Sequence, residues 1–261
     1  MGTRNQARDS EMRIVFAGDR EISVQVLSFI LARGIKPLAL LVPGAGKASH
    51  AASLIEMCHF LEPERILRGA RFREPEAVSL LQNLQPDYII CVHFPYIVPE
   101  EVLAVPRSGV LNLHPAFLPY NRGWHTPSWA ILEQTPIGAT LHFMDAGVDS
   151  GDIVHQVELT VSPGDTAHAL YAKLLELEMK VFAEAWPRLE SGRFERRRQD
   201  LAHGSFHRRE DLLQDAVRQI DLDEEMRARD LIRKLRALTT NRHAEAAYFE
   251  EAGKRFRIQV V

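Results

Sequence analysis

Short apolar runs alternate with amphipathic stretches through the first part of the chain. Residues 13–18, Arg13-Ile14-Val15-Phe16-Ala17-Gly18, read as a buried strand ending at a turn. Ile22, Val26, Leu27, Ile30 and Leu31 follow at spacings of three and four, which predicts a helix. Residues 37–42, 87–92 and 109–113 are three further apolar strands, with helical patterns near 49–61 and 75–84. The loop 43–47, Pro43-Gly44-Ala45-Gly46-Lys47, is expected to be mobile. Apolar strands alternating with amphipathic helices predict a parallel α/β sheet with covered faces. Ligands on such sheets bind beyond the carboxyl ends of the strands.

The pattern then changes. Residues 137–143 and 152–157 read as two strands flanking the loop 144–151, an expected antiparallel pair. A long helix is predicted over 165–189, where Leu170, Leu174, Leu177, Val181 and Ala185 form one stripe. Tyr171, Leu175, Phe182 and Trp186 widen that stripe into a face for packing on the sheet. After Gly192 the run 193–199 is charged, 206–240 carry helical patterns, and 247–258 read as a hairpin. The expected organisation is a flexible lead-in over 1–11, one main domain over 12–192, and a small α+β extension of helices and a hairpin over 193–261. That extension is expected to pack on the main body or on a second subunit, in a homodimer.

Composition changes the picture little. With 46% hydrophobic and 26% charged residues, the chain has enough apolar side chains for a core. A net charge of −3 supplies no global field to attract nucleic acid or an anionic membrane. Cys58 and Cys91 have no metal-type spacing, and a reducing cytoplasm is the expected compartment. The start is polar, with no apolar run of signal-peptide type, and no stretch is apolar for long enough to span a bilayer.

The candidate chemistry lies at the end of the fourth strand. Asn112 and His114 are two apart on an extended segment and share a face. Pro115 keeps His114 out of the helical region. Asp149 precedes Ser150-Gly151 in a turn that would expose its carboxylate. An amide and a protonated imidazole can stabilise an oxyanion, and a carboxylate can receive a proton from an attacking amine. Acyl transfer to an amine or to water needs those functions, and no Gly-x-Ser-x-Gly nucleophile elbow is present. The plainer reading makes Asn112 and His114 a turn element and Asp149 a turn cap. His114, His125 and His142 match no common zinc spacing, and no metal is expected. Arg20, in Gly18-Asp19-Arg20-Glu21 after the first strand, can meet a phosphate or lie solvated at the surface.

Two long runs carry a resemblance. Residues 111–123, Leu111-Asn112-Leu113-His114-Pro115-Ala116-Phe117-Leu118-Pro119-Tyr120-Asn121-Arg122-Gly123, resemble the central motif of the folate-dependent formyltransferases. Residues 138–153, from Gly138-Ala139-Thr140-Leu141-His142-Phe143 to Asp149-Ser150-Gly151-Asp152-Ile153, resemble that family's second motif, in matching order and separation. The resemblance covers roughly 13–190. It implies a Rossmann-like α/β fold with helices on both faces of the parallel sheet, a formyltransferase catalytic domain, and 10-formyltetrahydrofolate as formyl donor. It also implies Asn112, His114 and Asp149 as the catalytic trio. Ala116 departs from the family, which often has Ser there. The pterin is expected against Phe94, Pro95, Tyr96, Ile97 and Val98 and the loop carrying Met144, Asp145 and Val148. A flat heteroaromatic suits apolar walls, although Phe94 and Ile97 can equally be core. His142 is expected to face the pocket or to support His114.

The family includes methionyl-tRNA, glycinamide ribonucleotide and sugar N-formyltransferases. The run 118–127 and the tail around 231–239 and 247–249 are most similar to the sugar enzymes. That implies a nucleotide-linked amino sugar as acceptor, with Arg122 pairing with phosphate, Trp124 stacking and His125 beside them. The tail mixes Arg with Asp and Glu rather than forming the basic surface that a transfer RNA requires. The alternatives are a methionyl-tRNA or other small-amine formyltransferase, a formyltetrahydrofolate hydrolase, for which the expected extra N-terminal domain is not seen, and a non-catalytic folate- or nucleotide-binding protein.

Overall fold

The computed structural model describes residues 12–46 and 48–261. The expected lead-in over 1–11 lies outside those residues, as does Lys47 of the 43–47 loop. The chain divides into two compact units, Met1–Leu111 and Asn112–Val261.

In the first unit β1 (Ile14–Gly18), α1 (Arg20–Leu31), β2 (Leu40–Val42), α2 (Ala51–Met57), β3 (Ile66–Arg68), α3 (Pro75–Leu84), β4 (Tyr88–Val92) and α4 (Glu100–Leu103) follow one another. The strands pair in parallel in the order β3-β2-β1-β4. Ile14 to Gly18 pair residue by residue with Tyr88 to Val92, and Phe16 pairs with Leu40 on the other side. Every residue of β1 and β4 is buried, which is why both are continuous apolar runs rather than alternating ones. The sheet grows one way from β1 to β3 and then reverses to β4, so the carboxyl ends of β1 and β4 form a topological switch point. Asp19 sits there. Its carboxylate accepts from the backbone N–H of Ser49 at 3.0 Å and of His50 at 2.9 Å, and from Ser49 Oγ at 3.1 Å. Those bonds occupy backbone donors at the start of α2, whose own residues provide no side-chain cap. Three backbone N–H groups, those of Ser49, His50 and Arg20, and the Ser49 hydroxyl outweigh the burial that would raise the Asp19 pKa, and hold it below its ordinary value.

Strand β5 (Gly109–His114) leads from the first unit into the second. The second unit continues with β6 (Arg122–Gly123), α5 (Thr126–Glu133), β7 (Gly138–Phe143), β8 (Ile153–Glu158), α6 (Ala167–Ser191), β9 (Phe206–His207), α7 (Asp215–Arg218), α8 (Ala228–Ala237) and the strands β10 (Ala247–Glu251) and β11 (Lys254–Ile258). Strands β7 and β8 form the expected antiparallel pair, with a register shift at Leu141/His142. Helix α6 is capped by Thr166, whose side chain accepts from Ala169 N, and by Gly192 in the left-handed region with φ +64°. Leu170, Leu174, Val181, Phe182, Ala185 and Trp186 are buried along it. Each large side chain so buried contributes about 2 kcal/mol by leaving water.

Residues after Gly192 pack on this unit's own body. Strand β9 pairs in parallel with β6, Arg122 against Phe206 and Gly123 against His207. Leu212, Ile220, Leu238 and Ala247 form an apolar cluster that packs on Trp129 and Leu132 of α5. Strands β10 and β11 form the expected hairpin. Among the described residues no helix is long and apolar enough to cross a membrane.

Candidate active site

Three side chains of the second unit converge on one carboxylate. Asn112 and His114 leave β5 on one face while Leu111 and Leu113 are buried on the other. Asp149 lies in the β7–β8 loop with φ +50°, a left-handed conformation that non-glycine residues rarely adopt. Asn112 Nδ2 donates to Asp149 Oδ1 at 3.2 Å. His114 Nε2 stands 3.6 Å from Asp149 Oδ2, an ion-pair distance longer than a hydrogen bond. The geometry therefore brings together the trio picked out in the sequence.

Two further groups hold the same carboxylate. The backbone N–H of Gly123 donates to Asp149 Oδ2 at 3.0 Å. His142 of β7, fully buried, has Nε2 3.5 Å from Asp149 Oδ1 and 3.3 Å from Asn112 Nδ2. Its Nδ1–H donates to the Phe143 carbonyl at 2.8 Å, which fixes the ring. His142 thus braces Asn112 and Asp149 directly. Burial pushes the Asp149 pKa up, but the His114 and His142 side chains and the Gly123 N–H outweigh burial and hold it well below the usual carboxylate range. Such a group is a persistent anion in a nearly closed site, with 12% of its side chain exposed.

The glycines of the loops are dictated by close approach. Gly123 has φ +93°, and a Cβ there would collide with the His207 carbonyl. A Cβ on Gly151 would collide with the Phe143 carbonyl. The β7–β8 loop is also tied internally, since Asp145 Oδ1 accepts from Gly147 N at 3.0 Å and Ser150 Oγ at 2.7 Å. Asp145 therefore shapes the loop, while Val148 stands exposed and Met144 is half-buried.

In the first unit, Phe94 and Tyr96 form an aromatic group with Phe72, with centroids 5.2–5.9 Å apart. Tyr96 Oη accepts from Gly44 N at 3.4 Å. Pro95 is half-buried and Val98 buried. Ile97 is 76% exposed, which removes the core reading of that residue. The Arg73 guanidinium donates to the Ile97 carbonyl at 2.6 Å and lies over the Tyr96 ring. Arg20, with φ +72°, lies 3.9 Å from the Asp19 carboxylate.

The remaining expected acceptor residues line the segment that β9 pins. Arg122 is half-buried, with its Nε lacking a hydrogen-bond partner and its guanidinium 5.9 Å from the Phe206 ring centroid. Trp124 is 45% exposed and Arg209 lies over it at 5.3 Å. His125 is engaged by the tail: its Nε2 is 3.2 Å from the Arg209 carbonyl and its Nδ1 3.8 Å from Glu245. Burial lowers its pKa, opposed by the Glu245 charge. Among the described residues, no group of three His, Cys, Asp or Glu could hold a metal ion.

Sequence reasoning did not find Gly123 N, which no side-chain pattern can reveal, or Gln199, a single glutamine after an arginine run. Gln199 is buried, and its Nε2 donates to the Asp149 carbonyl at 2.9 Å and the Gly151 carbonyl at 2.7 Å.

A family profile described as "Formyl transferase" matches residues 42–186, more than half of the chain. The chain belongs to the formyl transferase family. The match contains Asn112, His114, His142 and Asp149. A second profile, described as "N-formyltransferase dimerization C-terminal domain", matches residues 214–261. The methionyl-tRNA formyltransferase of Geobacter sulfurreducens is 29% identical over 80% of this chain and 68% of that protein. The chain spans 61 to 68% of the length of the curated relatives it matches. A sugar N-formyltransferase from a Shewanella species superposes with a TM-score of 0.79 at 22% identity, covering 96% of this chain and 98% of that one. That likeness shows the fold, Rossmann-like α/β with a small C-terminal strand pair. The formyltransferase PseJ of Anoxybacillus kamchatkensis, solved with UDP-4,6-dideoxy-4-formamido-L-AltNAc and tetrahydrofolate, is 26% identical, with a TM-score of 0.55 over 76% of this chain and 97% of that one.

Proposed function

We propose that this formyltransferase moves the formyl group of 10-formyltetrahydrofolate to the amino group of a nucleotide-linked amino sugar. The observation that carries the reaction is the convergence of Asn112, His114 and Gly123 N on the Asp149 carboxylate within 3.0–3.6 Å. The amine nitrogen attacks the formyl carbon and a new C–N bond forms. The carbonyl oxygen becomes an oxyanion, which Asn112 Nδ2–H and the His114 side chain stabilise. Asn112 exchanges one of its long contacts, at 3.2 and 3.3 Å, for that bond. The Asp149 carboxylate, remaining an anion, stabilises the positive charge developing on the amine, and the amine proton passes through water to the folate nitrogen as its bond to the formyl carbon breaks. The products are a formamide and tetrahydrofolate.

Folate as donor is supported by the family and by the tetrahydrofolate in the Anoxybacillus enzyme. In the first unit the exposed Ile97 beside Phe94, Pro95, Tyr96 and the buried Val98 suits a pterin wall; in the second unit Met144, Asp145 and Val148 are separate candidates for folate contact. The sugar acceptor is supported by the UDP-linked formamido sugar in the same Anoxybacillus enzyme. Arg122 and Trp124 supply a cation and an aromatic face for the nucleotide, with His125 setting the turn between them and the tail; Arg20 is a second phosphate candidate. The 29% identity to a methionyl-tRNA formyltransferase supports a second reading, with an aminoacyl-tRNA as acceptor.

The test is tetrahydrofolate release from 10-formyltetrahydrofolate, with a panel of nucleotide-linked 3-amino and 4-amino sugars, with methionyl-tRNA, and with no acceptor. Release with a sugar nucleotide is the expected result. Release with methionyl-tRNA alone overturns the sugar assignment, acceptor-independent release indicates a hydrolase, and no release removes the enzymatic reading.

A further inference from the structure

We propose that Gln199 is a positioning residue for formyl transfer, holding the Asp149 backbone in the left-handed conformation that aims its carboxylate at Asn112 and His114. The proposal rests on the formyl-transfer reading above, because it assigns Asp149 a part in that reaction.

Asp149 is a non-glycine residue at φ +50°, a conformation that persists only where the surroundings over-determine it. The Gln199 carboxamide is the group that does so. Its Nε2 donates to the Asp149 carbonyl at 2.9 Å and to the Gly151 carbonyl at 2.7 Å, so both N–H bonds clamp the two sides of the turn. A carboxamide nitrogen has two donors, and both are spent here. Gln199 Oε1 is buried with no hydrogen-bond partner. What the side chain secures is the turn.

The same stretch of chain acts on the carboxylate from its other side. Ser205 Oγ accepts from Asn121 N at 2.9 Å, and the Arg122 N–H donates to the Ser205 carbonyl at 3.0 Å. The Trp124 N–H donates to the His207 carbonyl at 3.0 Å. Those bonds fix Gly123, whose N–H reaches Asp149 Oδ2. Residues 199–207 therefore hold the Asp149 main chain through Gln199 and its side chain through Gly123. They lie outside both regions matched by the family profiles.

The experiment compares kcat and KM for the wild type, Gln199→Met, Asp149→Asn and the double variant. Methionine keeps the length of the side chain and removes both donors. The expected result is a fall in kcat of the order of 10–100-fold, since small misplacements of a reacting group cost that much, with KM for donor and acceptor little changed. In the Asp149→Asn background the same change is expected to add almost nothing, because the lost function already runs through Asp149. An unchanged kcat in folded Gln199→Met overturns the proposal, as does a loss confined to KM. An equal further loss in the Asp149→Asn background also overturns it. Should Gln199→Met fail to fold, Gln199→Glu, which keeps polarity and replaces the donors by acceptors, carries the same measurement. Unfolding of both variants would mark Gln199 as a residue of the fold and end the proposal. A wild type that releases no tetrahydrofolate with any acceptor defeats the formyl-transfer reading instead, a separate and distinguishable failure.

Discussion

Asp149 is the residue on which the site depends. It receives Asn112 Nδ2–H and Gly123 N–H, faces His114 and His142, and is shut away from most solvent. Burial favours its neutral form, and the surrounding donors and imidazoles override that preference. Two outcomes follow from the lowered pKa. A 13C-detected titration of the Asp149 carboxyl is expected to show no midpoint down to about pH 4, near where an unperturbed aspartate titrates. A midpoint in the ordinary range would show that the carboxylate is not held by its neighbours. Because the folded pKa lies below the unfolded one, the stability that Asp149 contributes is present above the unfolded value. It is lost only as the pH falls through the lower folded value. Acid unfolding driven by this residue therefore begins below about pH 4, and activity between pH 5 and pH 9 is not limited by its ionisation. At this scale Asn112, His114 and Asp149 alone also read as a turn element and a turn cap, and it was the resemblance of the two long runs around them that singled them out as candidates. The backbone N–H of Gly123 and the Gln199 amide were not legible, because their roles exist only where separate segments meet.

Elements place these residues by a few close backbone approaches. The pairing of β6 with β9 needs Gly123 twice over, for its φ of +93° and because the His207 carbonyl fills the space of a Cβ. Gly123→Ala is expected to destabilise the protein by about 1–3 kcal/mol. It is also expected to lower kcat of the order of 10²-fold as the Gly123 N–H leaves Asp149. Gly34→Ala is the control, since Gly34 has φ +81° with nothing within 4 Å. It carries only the left-handed strain, about 1 kcal/mol, and kcat is expected to stay at the wild-type value. Thermal melts with steady-state rates check both variants, and equal kcat losses in the two would sink the link to Asp149. The strands β1, β4, β5 and β7 were readable because each is largely an apolar run bounded by turn residues, and β8 from Ile153-Val154 after the Ser150-Gly151 turn. Strand β3 is only Ile66-Leu67-Arg68, too short for a period to register. Helix α5 starts at Thr126-Pro127 and buries residues on several sides, so no single apolar stripe marks it. The helical patterns expected over 206–240 appear as the short α7 and as α8, while the first residues contribute β9 instead. There the local pattern gives way to long-range pairing with Arg122 and Gly123.

At the scale of the whole molecule, the stretch matched by the dimerization profile leaves several apolar side chains exposed. Leu222 and Ile232 are each 55% exposed and Phe256 is 44% exposed, all within residues 214–261. A two-stranded hairpin is marginal by itself. This one is stiffened by the Phe249–Phe256 stack at 5.2 Å and by Arg255 over the buried Tyr248 ring at 3.9 Å. Exposed apolar side chains in a stretch matched by a dimerization profile are candidates for cover by a two-fold partner. We expect the protein to sediment as a homodimer at twice its 29.6 kDa chain mass. Phe256→Asp with Ile232→Asp places like charges across that contact and is expected to yield a folded monomer. A monomeric wild type would refute the assignment of this face. Asn112, His114, Gly123, His142, Asp149 and Gln199 all belong to the one unit Asn112–Val261. The trio is thus assembled within a single chain, and the folded monomer is expected to keep its kcat. Loss of kcat on dissociation, with circular dichroism unchanged, would mean instead that the hairpin's partner steadies the segment 199–207 and, through it, Asp149.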